Sequence, residues 1–363
     1  MANGCWQTDP GARMTAKIPV SILGATGTVG QKFVRLLAEH PWFEIAAVAA
    51  SEQSAGKRYG DIVRWREATP LPERVAAMTV ARCEPTIPGR IAFSAIEADI
   101  AGEVEQSFAR VGVYVVTNTK THRMDPDIPL LIPEINHEHL GLLTRQQRER
   151  GWSGGIVANP NCSTAGLVLG VAPLHRAFGV QKLFVATMQA VSGAGYPGVA
   201  SLDALGNVIP FIGGEEEKME LETAKILGGY SRESVTPADI ATSAHTNRVP
   251  VVDGHLEVVS IGFSRRVTPG EAIAALEEFR AEGDVARLPS TPSRPVEVDR
   301  RPDRPQSRLD IDRGAGMTVT VGRVRPCNLL DIRLVLLSHN TIRGAAGAAI
   351  QNAELLVARG YVK

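Results

Sequence analysis

The sequence predicts an α/β protein: a doubly wound parallel sheet joined to a second domain of α+β type. Three observations carry this. Near the start, an apolar strand runs straight into a glycine-rich turn and a helix. Short apolar strands then alternate with helical stretches up to about residue 160, the pattern of a parallel sheet covered on both faces. Beyond that point the texture changes to long strand-forming runs with helices gathered around them. At 363 residues the chain is long enough to bury two cores, and 44% hydrophobic with 21% charged residues is ordinary for a globular protein.

The first strand is Ile18-Pro19-Val20-Ser21-Ile22-Leu23. Gly24-Ala25-Thr26-Gly27-Thr28-Val29-Gly30 follows, then a helix over 31–39 with Phe33, Leu36 and Leu37 on one face. Strand, glycine-rich turn and helix in that order make a phosphate cradle, because glycine lets the backbone approach and the helix start offers N–H donors. The spacing is G-x-x-G-x-x-G, and tight packing is the alternative use of such a turn. The next strand, 43–50, ends in Ser51, where NAD-specific dinucleotide folds often place a carboxylate for the ribose hydroxyl. Hydroxyls at Ser51 and Ser54, with Lys57 and Arg58 nearby, suit a 2′-phosphate and therefore NADP. Glu52 opposes that, and a solvated loop is the rival reading.

Strands are expected at 91–94, ending in Ser94, and at 113–117, with a helix over 97–110 between them. Arg123 then lies in a loop beyond a strand's carboxyl end, where ligands of open α/β sheets sit, although a plain surface arginine reads the same way. Residues 142–151 read as an exposed helix end.

The stretch Ala158-Asn159-Pro160-Asn161-Cys162-Ser163-Thr164-Ala165 follows an apolar strand (155–158) and precedes a helical run to His175. Cys162 thus falls at a strand-to-helix junction, beside free N–H groups and the positive end of a helix dipole, which favours the nucleophilic thiolate. The alternative is a small buried hydrophobe capping a helix. Farther on, 182–191 is a long strand running into Ser192-Gly193-Ala194-Gly195, and Glu215-Glu216-Glu217-Lys218 opens a helix. Strands over 256–264 and 329–337 look antiparallel. The stretch 288–313 reads as an extended loop, and an Ala-rich helix to Val357 closes the chain.

Lysine plus arginine equals aspartate plus glutamate at 39 each, so there is no electrostatic footprint for nucleic acid or an anionic membrane. Nothing approaches a membrane span, and residues 1–13 lack the apolar core of a signal peptide. Residues 1–14 read as a disordered leader, with Met14 an alternative start. Cys5, Cys83, Cys162 and Cys327 are scattered without C-x-x-C or zinc spacing, so no metal is expected and a reducing cytoplasm fits.

Taken together, the chain resembles the aspartate-semialdehyde dehydrogenases, in particular the branch of archaea and fungi. The matching segments are Gly24–Gly30, Ser54-Ala55-Gly56-Lys57, Asn159-Pro160-Asn161-Cys162-Ser163-Thr164, Gln189-Ala190-Val191-Ser192-Gly193-Ala194-Gly195, Asn247-Arg248-Val249-Pro250-Val251 with Asp253-Gly254-His255, Asp303-Arg304-Pro305-Gln306, and His339-Asn340-Thr341-Ile342-Arg343-Gly344-Ala345-Ala346-Gly347. They occur in order from residue 18 to the C-terminus. Two departures stand out: Gln53 replaces an arginine common in the NADP loop, and Ala244-His245-Thr246 precedes Asn247 where relatives often carry a cysteine.

The resemblance implies a Rossmann-type NADP-binding domain (15–160 plus 340–363) and an α+β catalytic and dimerisation domain (161–339) of the glyceraldehyde-3-phosphate dehydrogenase-like kind. It implies NADPH-dependent reductive dephosphorylation of L-aspartyl 4-phosphate to L-aspartate 4-semialdehyde, on the route to lysine, methionine and threonine. Cys162 would be the nucleophile, His255 the acid/base and Gln189 the group orienting the carbonyl. Arg248 would pair with the α-carboxylate, Glu215 with the ammonium, and Arg123, Asn161 and Lys218 with phosphate. NADP would contact Gly24, Thr26, Gly27, Thr28, Val29, Ser51, Ser54, Ser94, Ser192, Gly193 and Asn340. A homodimer or homotetramer is implied. The competing readings are a malonyl-CoA reductase-like enzyme, which has no ammonium to bind, and a catalytically silent NADP-binding sensor.

Overall fold

The computed structural model describes residues 16–362. The expected leader at 1–14, with Met14 and Cys5, lies outside the described residues. The first sheet contains β1 (Ile18–Leu23), β2 (Phe43–Ala50), β3 (Ala81–Arg82), β4 (Ile91–Ser94), β5 (Tyr114–Thr117) and β6 (Gly155–Ala158). Its order is β3-β2-β1-β4-β5-β6, every neighbouring pair parallel. The order reverses at β1, which places the glycine turn at the switch point where such sheets bind ligands. Strands β4, β5 and β6 are buried throughout, as expected when both faces are covered. Helices α1 (Thr28–Leu37), α2 (Ala98–Arg110) and α3 (Leu142–Arg150) supply the cover. On α1, Phe33, Val34, Leu36 and Leu37 face inward, and Phe33 stacks on Phe93 at 4.9 Å. The 142–151 stretch is not merely an exposed end, since Leu142, Leu143 and Gln146 of α3 are buried.

After β6 comes α4 (Cys162–Phe178), buried from Ser163 to Leu174. The second sheet is built from β7 (Val180–Gln189), β10 (Ala241–Arg248), β11 (His255–Phe263), β12 (Val296–Asp299), β13 (Val319–Pro326) and β14 (Ile332–Ser338), while β8 (Gly229–Ser231) and β9 (Ser234–Thr236) form a separate hairpin. The order is β10-β7-β11-β14-β13-β12; the four central strands are antiparallel, and both edge strands add in parallel. Along β11 buried and half-exposed residues alternate, so His255, Glu257, Val259 and Ile261 share the covered face. Helices α5 (Glu215–Ile226) and α6 (Pro269–Glu278) complete this half.

The stretch 288–313 departs from the expected loop. It contributes β12 to the sheet, paired with β13, because its charges satisfy one another: Arg313 reaches Glu297, Asp299 and Asp310, and Arg304 reaches Asp310. Finally α7 (Gly347–Ala358) buries Ala349, Ile350, Ala353, Leu355 and Leu356 in the core shared by β1, β2 and β4.

Candidate active site

Cys162 is the first residue of α4. Asn161 caps that helix, its side-chain oxygen accepting the amides of Ser163 (3.0 Å) and Thr164 (3.3 Å). The Cys162 sulfur lies 3.2 Å from Nε2 of His255, the first residue of β11. On the far side of the ring, Nδ1 accepts the Ala190 amide at 3.1 Å. A ring nitrogen that accepts carries no proton, so the neutral imidazole holds its proton on Nε2, facing the sulfur. Burial, aided by the charge of Arg248, pushes the His255 pKa down to about 3, so the ring is neutral across the physiological range.

The expectation of a ready thiolate needs correction. Cys162 as a residue is half-buried, yet the surrounding protein and then Glu215 push its thiol up to about 12. Arg123, Arg248 and the Ser163 amide pull the other way. Desolvation outweighs the helix end, which is why the Nε2–H of His255 matters: it is a donor aimed at the developing sulfur charge.

Arg248 ends β10 directly opposite Gln189, the last residue of β7. Its Nη1 donates to the Ala190 carbonyl at 2.7 Å, so the single residue Ala190 holds both Arg248 and His255. A Cβ on Gly193 would come within 2.9 Å of Arg248 Nη1 and 3.1 Å of the His255 ring, so only glycine leaves this floor open. Gln189 is buried, its amide donating to Thr187 Oγ1 at 3.3 Å. The rival histidine, His245, is exposed on the other face of β10 against Phe184 and plays no part here.

The acidic helix supplies the next layer. Glu215 Oε2 accepts Asn161 Nδ2 at 2.8 Å, and its Oε1 accepts Lys218 Nζ at 2.7 Å. Arg123 donates through Nη1 to Glu222 at 2.9 Å and through Nη2 to the Asn118 carbonyl at 2.8 Å. Arg123, Asn161, Glu215 and Lys218 therefore form one connected group at the start of α4. Sequence reasoning missed two members, Glu222 and Lys225. Lys225 Nζ donates to the carbonyls of Arg123 (2.6 Å), Asp125 (2.8 Å) and Ile128 (2.9 Å), and burial brings its pKa down to about 8. The signal was present: Glu215, Lys218, Glu222 and Lys225 recur at helical spacing along one side of α5.

The nucleotide loop fits a dinucleotide. A Cβ on Gly24 would strike the Ala95 carbonyl at 2.4 Å and one on Gly30 the Gly24 carbonyl at 2.2 Å, whereas at Gly27 the nearest atom is 3.4 Å away, leaving open backbone for a diphosphate. Thr26, Gly27, Thr28 and Val29 form the loop and the opening of α1. Ser51 is exposed, Ser54 half-buried, and Ser94 fully buried beside Glu105. A cleft of about 490 Å³ runs from Thr28 and Lys32 to Ser192 and Asp253, joining the loop to the second half of the molecule. Asn340 braces its wall by donating to Ser192 Oγ and accepting the Gly254 amide, both at 2.8 Å. Among the described residues there is no acidic, histidine and cysteine cluster able to hold a metal, and no helix long and apolar enough to cross a membrane.

A dinucleotide-binding sheet joined to a half carrying a cysteine, its histidine and a flanking arginine defines a nicotinamide-dependent oxidoreductase. Comparison with known proteins agrees. The semialdehyde dehydrogenase NAD-binding domain matches residues 19–143, and the semialdehyde dehydrogenase dimerisation domain matches 171–343. The aspartate-semialdehyde dehydrogenase of Archaeoglobus fulgidus is 49% identical over 93% of this chain and 97% of its own, and that of Cryptococcus neoformans 44% over 96% and 99%. Among solved structures, the Candida albicans enzyme with NADP superposes with a TM-score of 0.88 at 41% identity, covering 96% of this chain and 100% of that one. A Vibrio cholerae enzyme complexed with ASA gives 0.75 at 28%, covering 96% and 100%. The chain belongs to the aspartate-semialdehyde dehydrogenase family.

Proposed function

We propose that the protein catalyses NADPH-dependent reductive dephosphorylation of L-aspartyl 4-phosphate to L-aspartate 4-semialdehyde, the reaction of aspartate-family amino-acid biosynthesis, through a thioester on Cys162. The single observation that carries the residue assignment is the 3.2 Å contact between the Cys162 sulfur and His255 Nε2, with Arg248 bordering the same space at Gly193.

In this reading Arg248 takes the substrate α-carboxylate with a planar two-pronged donor, and Glu215 takes the ammonium. The acyl carbon then faces Cys162. As the sulfur attacks, the carbon–oxygen bond to phosphate breaks, the thiol proton passes to the departing phosphate, and the phosphate's remaining charge is met by Arg123, Asn161 and Lys218. Gln189, on the strand end beside Ala190, orients the carbonyl of the resulting thioester. The 24–30 loop, Ser51, Ser54, Ser94, Ser192, Gly193 and Asn340 hold the nicotinamide cofactor, which when bound as NADPH would supply the hydride. The charged oxygen on the Cys162-bound carbon accepts a hydrogen bond from the Nε2–H of His255; as the carbon–sulfur bond breaks, that oxygen becomes the aldehyde carbonyl and the departing sulfur takes a proton from solvent, which restores the thiol.

The division into 15–160 plus 340–363 and 161–339 belongs to the same reading, supported by the return of α7 to the first core. So do a homodimeric or homotetrameric assembly and a cytoplasmic setting, where Cys162 stays reduced; Cys83 and Cys327 are also free.

The test is oxidation of L-aspartate semialdehyde with NADP, with and without phosphate, against CoA-dependent oxidation of malonate semialdehyde. Strictly phosphate-dependent turnover of the first supports the proposal. CoA-dependent turnover of the second replaces it with the acyl-CoA reductase reading, and NADP binding without turnover of either replaces it with the sensor.

A further inference from the structure

Glu222 has no part in the chemistry above, yet it joins the two groups assigned to phosphate. It is 2% exposed. Its Oε1 accepts Arg123 Nη1 at 2.9 Å, and its Oε2 accepts the backbone amide of Asn161 at 2.6 Å. Arg123 arrives on the loop after β5 of the first sheet, while Asn161 caps the helix that begins with Cys162. A single carboxylate therefore sets how far the guanidinium lies from the cysteine's helix.

The donors of Arg123 divide accordingly. Nη1 belongs to Glu222 and Nη2 to the Asn118 carbonyl, whereas Nε is buried with no partner among the described residues. Held at both terminal nitrogens, the guanidinium cannot rotate, and three of its five N–H donors, that of Nε among them, stay uncommitted. Both contacts of Glu222 come from donors, so the residue must accept twice. An ionised carboxylate does this; an amide can accept once and must turn its NH2 group toward the other donor.

We propose that Glu222 is the positioning residue of the phosphate subsite: it holds Arg123 and Asn161 in the fixed relation that the departing phosphate, or inorganic phosphate in the reverse direction, encounters. This rests on the assignment of Arg123 and Asn161 to phosphate. Two effects of Glu222 oppose each other. Its negative charge weakens the attraction of Arg123 for an anion, while its hydrogen bonds orient the donors. Orientation wins here, because a buried guanidinium released from its carboxylate seeks other acceptors and loses its aim. Lys225 grips the loop backbone independently, so removing Glu222 frees the Arg123 side chain without releasing the loop.

The experiment compares the wild-type enzyme with Glu222→Gln and Glu222→Asp in phosphate-dependent oxidation of aspartate semialdehyde. Glu222→Gln is expected to raise the KM for phosphate about tenfold or more while changing the KM values for semialdehyde and NADP by less than about twofold. Glu222→Asp, which keeps the charge on a shorter arm, is expected to recover part of the loss. In a readout without turnover, the concentration of inorganic phosphate that half-protects Cys162 from iodoacetamide should rise by the same factor. An unchanged or lowered phosphate KM overturns the proposal, as does an equal rise for all three substrates. If the Gln variant fails to fold, the Asp variant decides alone: a raised phosphate KM with the others unchanged supports the role, and an unchanged one overturns it. A wild-type enzyme that turns over without phosphate overturns this inference together with the functional reading.

Discussion

Two of the buried arginine–carboxylate clusters among the described residues are built to opposite ends. Around Arg343 every guanidinium nitrogen has a partner: Nε donates to the Met317 carbonyl (2.7 Å), Nη1 to Glu134 and Gln351 (3.3 and 3.1 Å), and Nη2 to Glu134 (2.7 Å). Gln351 closes the ring by donating to Glu134 and Thr291. Arg343, Gln351, Glu134 and Thr291 are nearly or wholly inaccessible, and together they tie the closing helix into the protein. At the candidate active site Arg123 keeps Nε unused, and Arg248 shows one donor contact, to Ala190. A saturated cluster can only hold the fold, whereas one with donors in reserve can receive a ligand. The same residue types thus serve stability or chemistry according to how many of their bonds the protein itself consumes.

The contrast can be broken at several points, the largest effect first. Cys162→Ala should lower kcat by about 10⁴-fold or more, since no other sulfur stands at the junction, and His255→Ala by about 10²- to 10⁴-fold, both read by steady-state kinetics on protein of unchanged thermal midpoint. Retained turnover in the cysteine variant would end the covalent mechanism. At the saturated cluster, Arg343→Ala leaves the buried Glu134 without its guanidinium partner and with only the Gln351 amide donating to it; a loss of about 3–5 kcal/mol in urea unfolding is expected, with KM values of the folded fraction unchanged. Should Arg343→Ala instead raise KM selectively, the division between holding and binding clusters would fail. Arg248→Lys should do the reverse, raising the semialdehyde KM about 10- to 100-fold by losing the two-pronged geometry, with less than about 1 kcal/mol of stability lost.

The smallest effect concerns Glu257, a third way of burying charge. It is fully buried on the His255 face of β11, with neither oxygen partnered among the described residues, and burial raises its pKa well above 4.5. Folded, it keeps its proton; unfolded, it loses one near 4.5, so this residue subtracts stability as pH rises above that value. Glu257→Gln should therefore raise the unfolding midpoint at pH 8 and leave it unchanged at pH 4. Equal shifts at both would mean that packing, not ionisation, is what changed.

Much of the first sheet was legible because its signals are local. The 43–50 and 91–94 strands, the turn between Leu23 and Thr28 and the junction at Cys162 each declare themselves within a few residues through apolar runs, glycine and a cap. The loop-like reading of 288–313 failed for a reason that is not local: β12 exists because β13 offers it an edge, and its arginines are neutralised by partners in the same crossing. Glu222 and Lys225 went unread for a similar reason. A stripe of charge on a helix describes a solvated face equally well until something is known to lie against it.

By itself, then, the amino-acid order determined where a nucleotide-binding turn would form, where a cysteine would meet a helix end, and which family's segments the chain carries. Only the tertiary structure decided that His255, 93 positions away, brings Nε2 to 3.2 Å from the Cys162 sulfur, that Ala190 sets the tautomer of that ring, and that burial raises the thiol a helix end alone would have lowered. Turns and caps are written in neighbouring residues, whereas distance and desolvation depend on everything packed around a group, which no stretch of chain specifies alone.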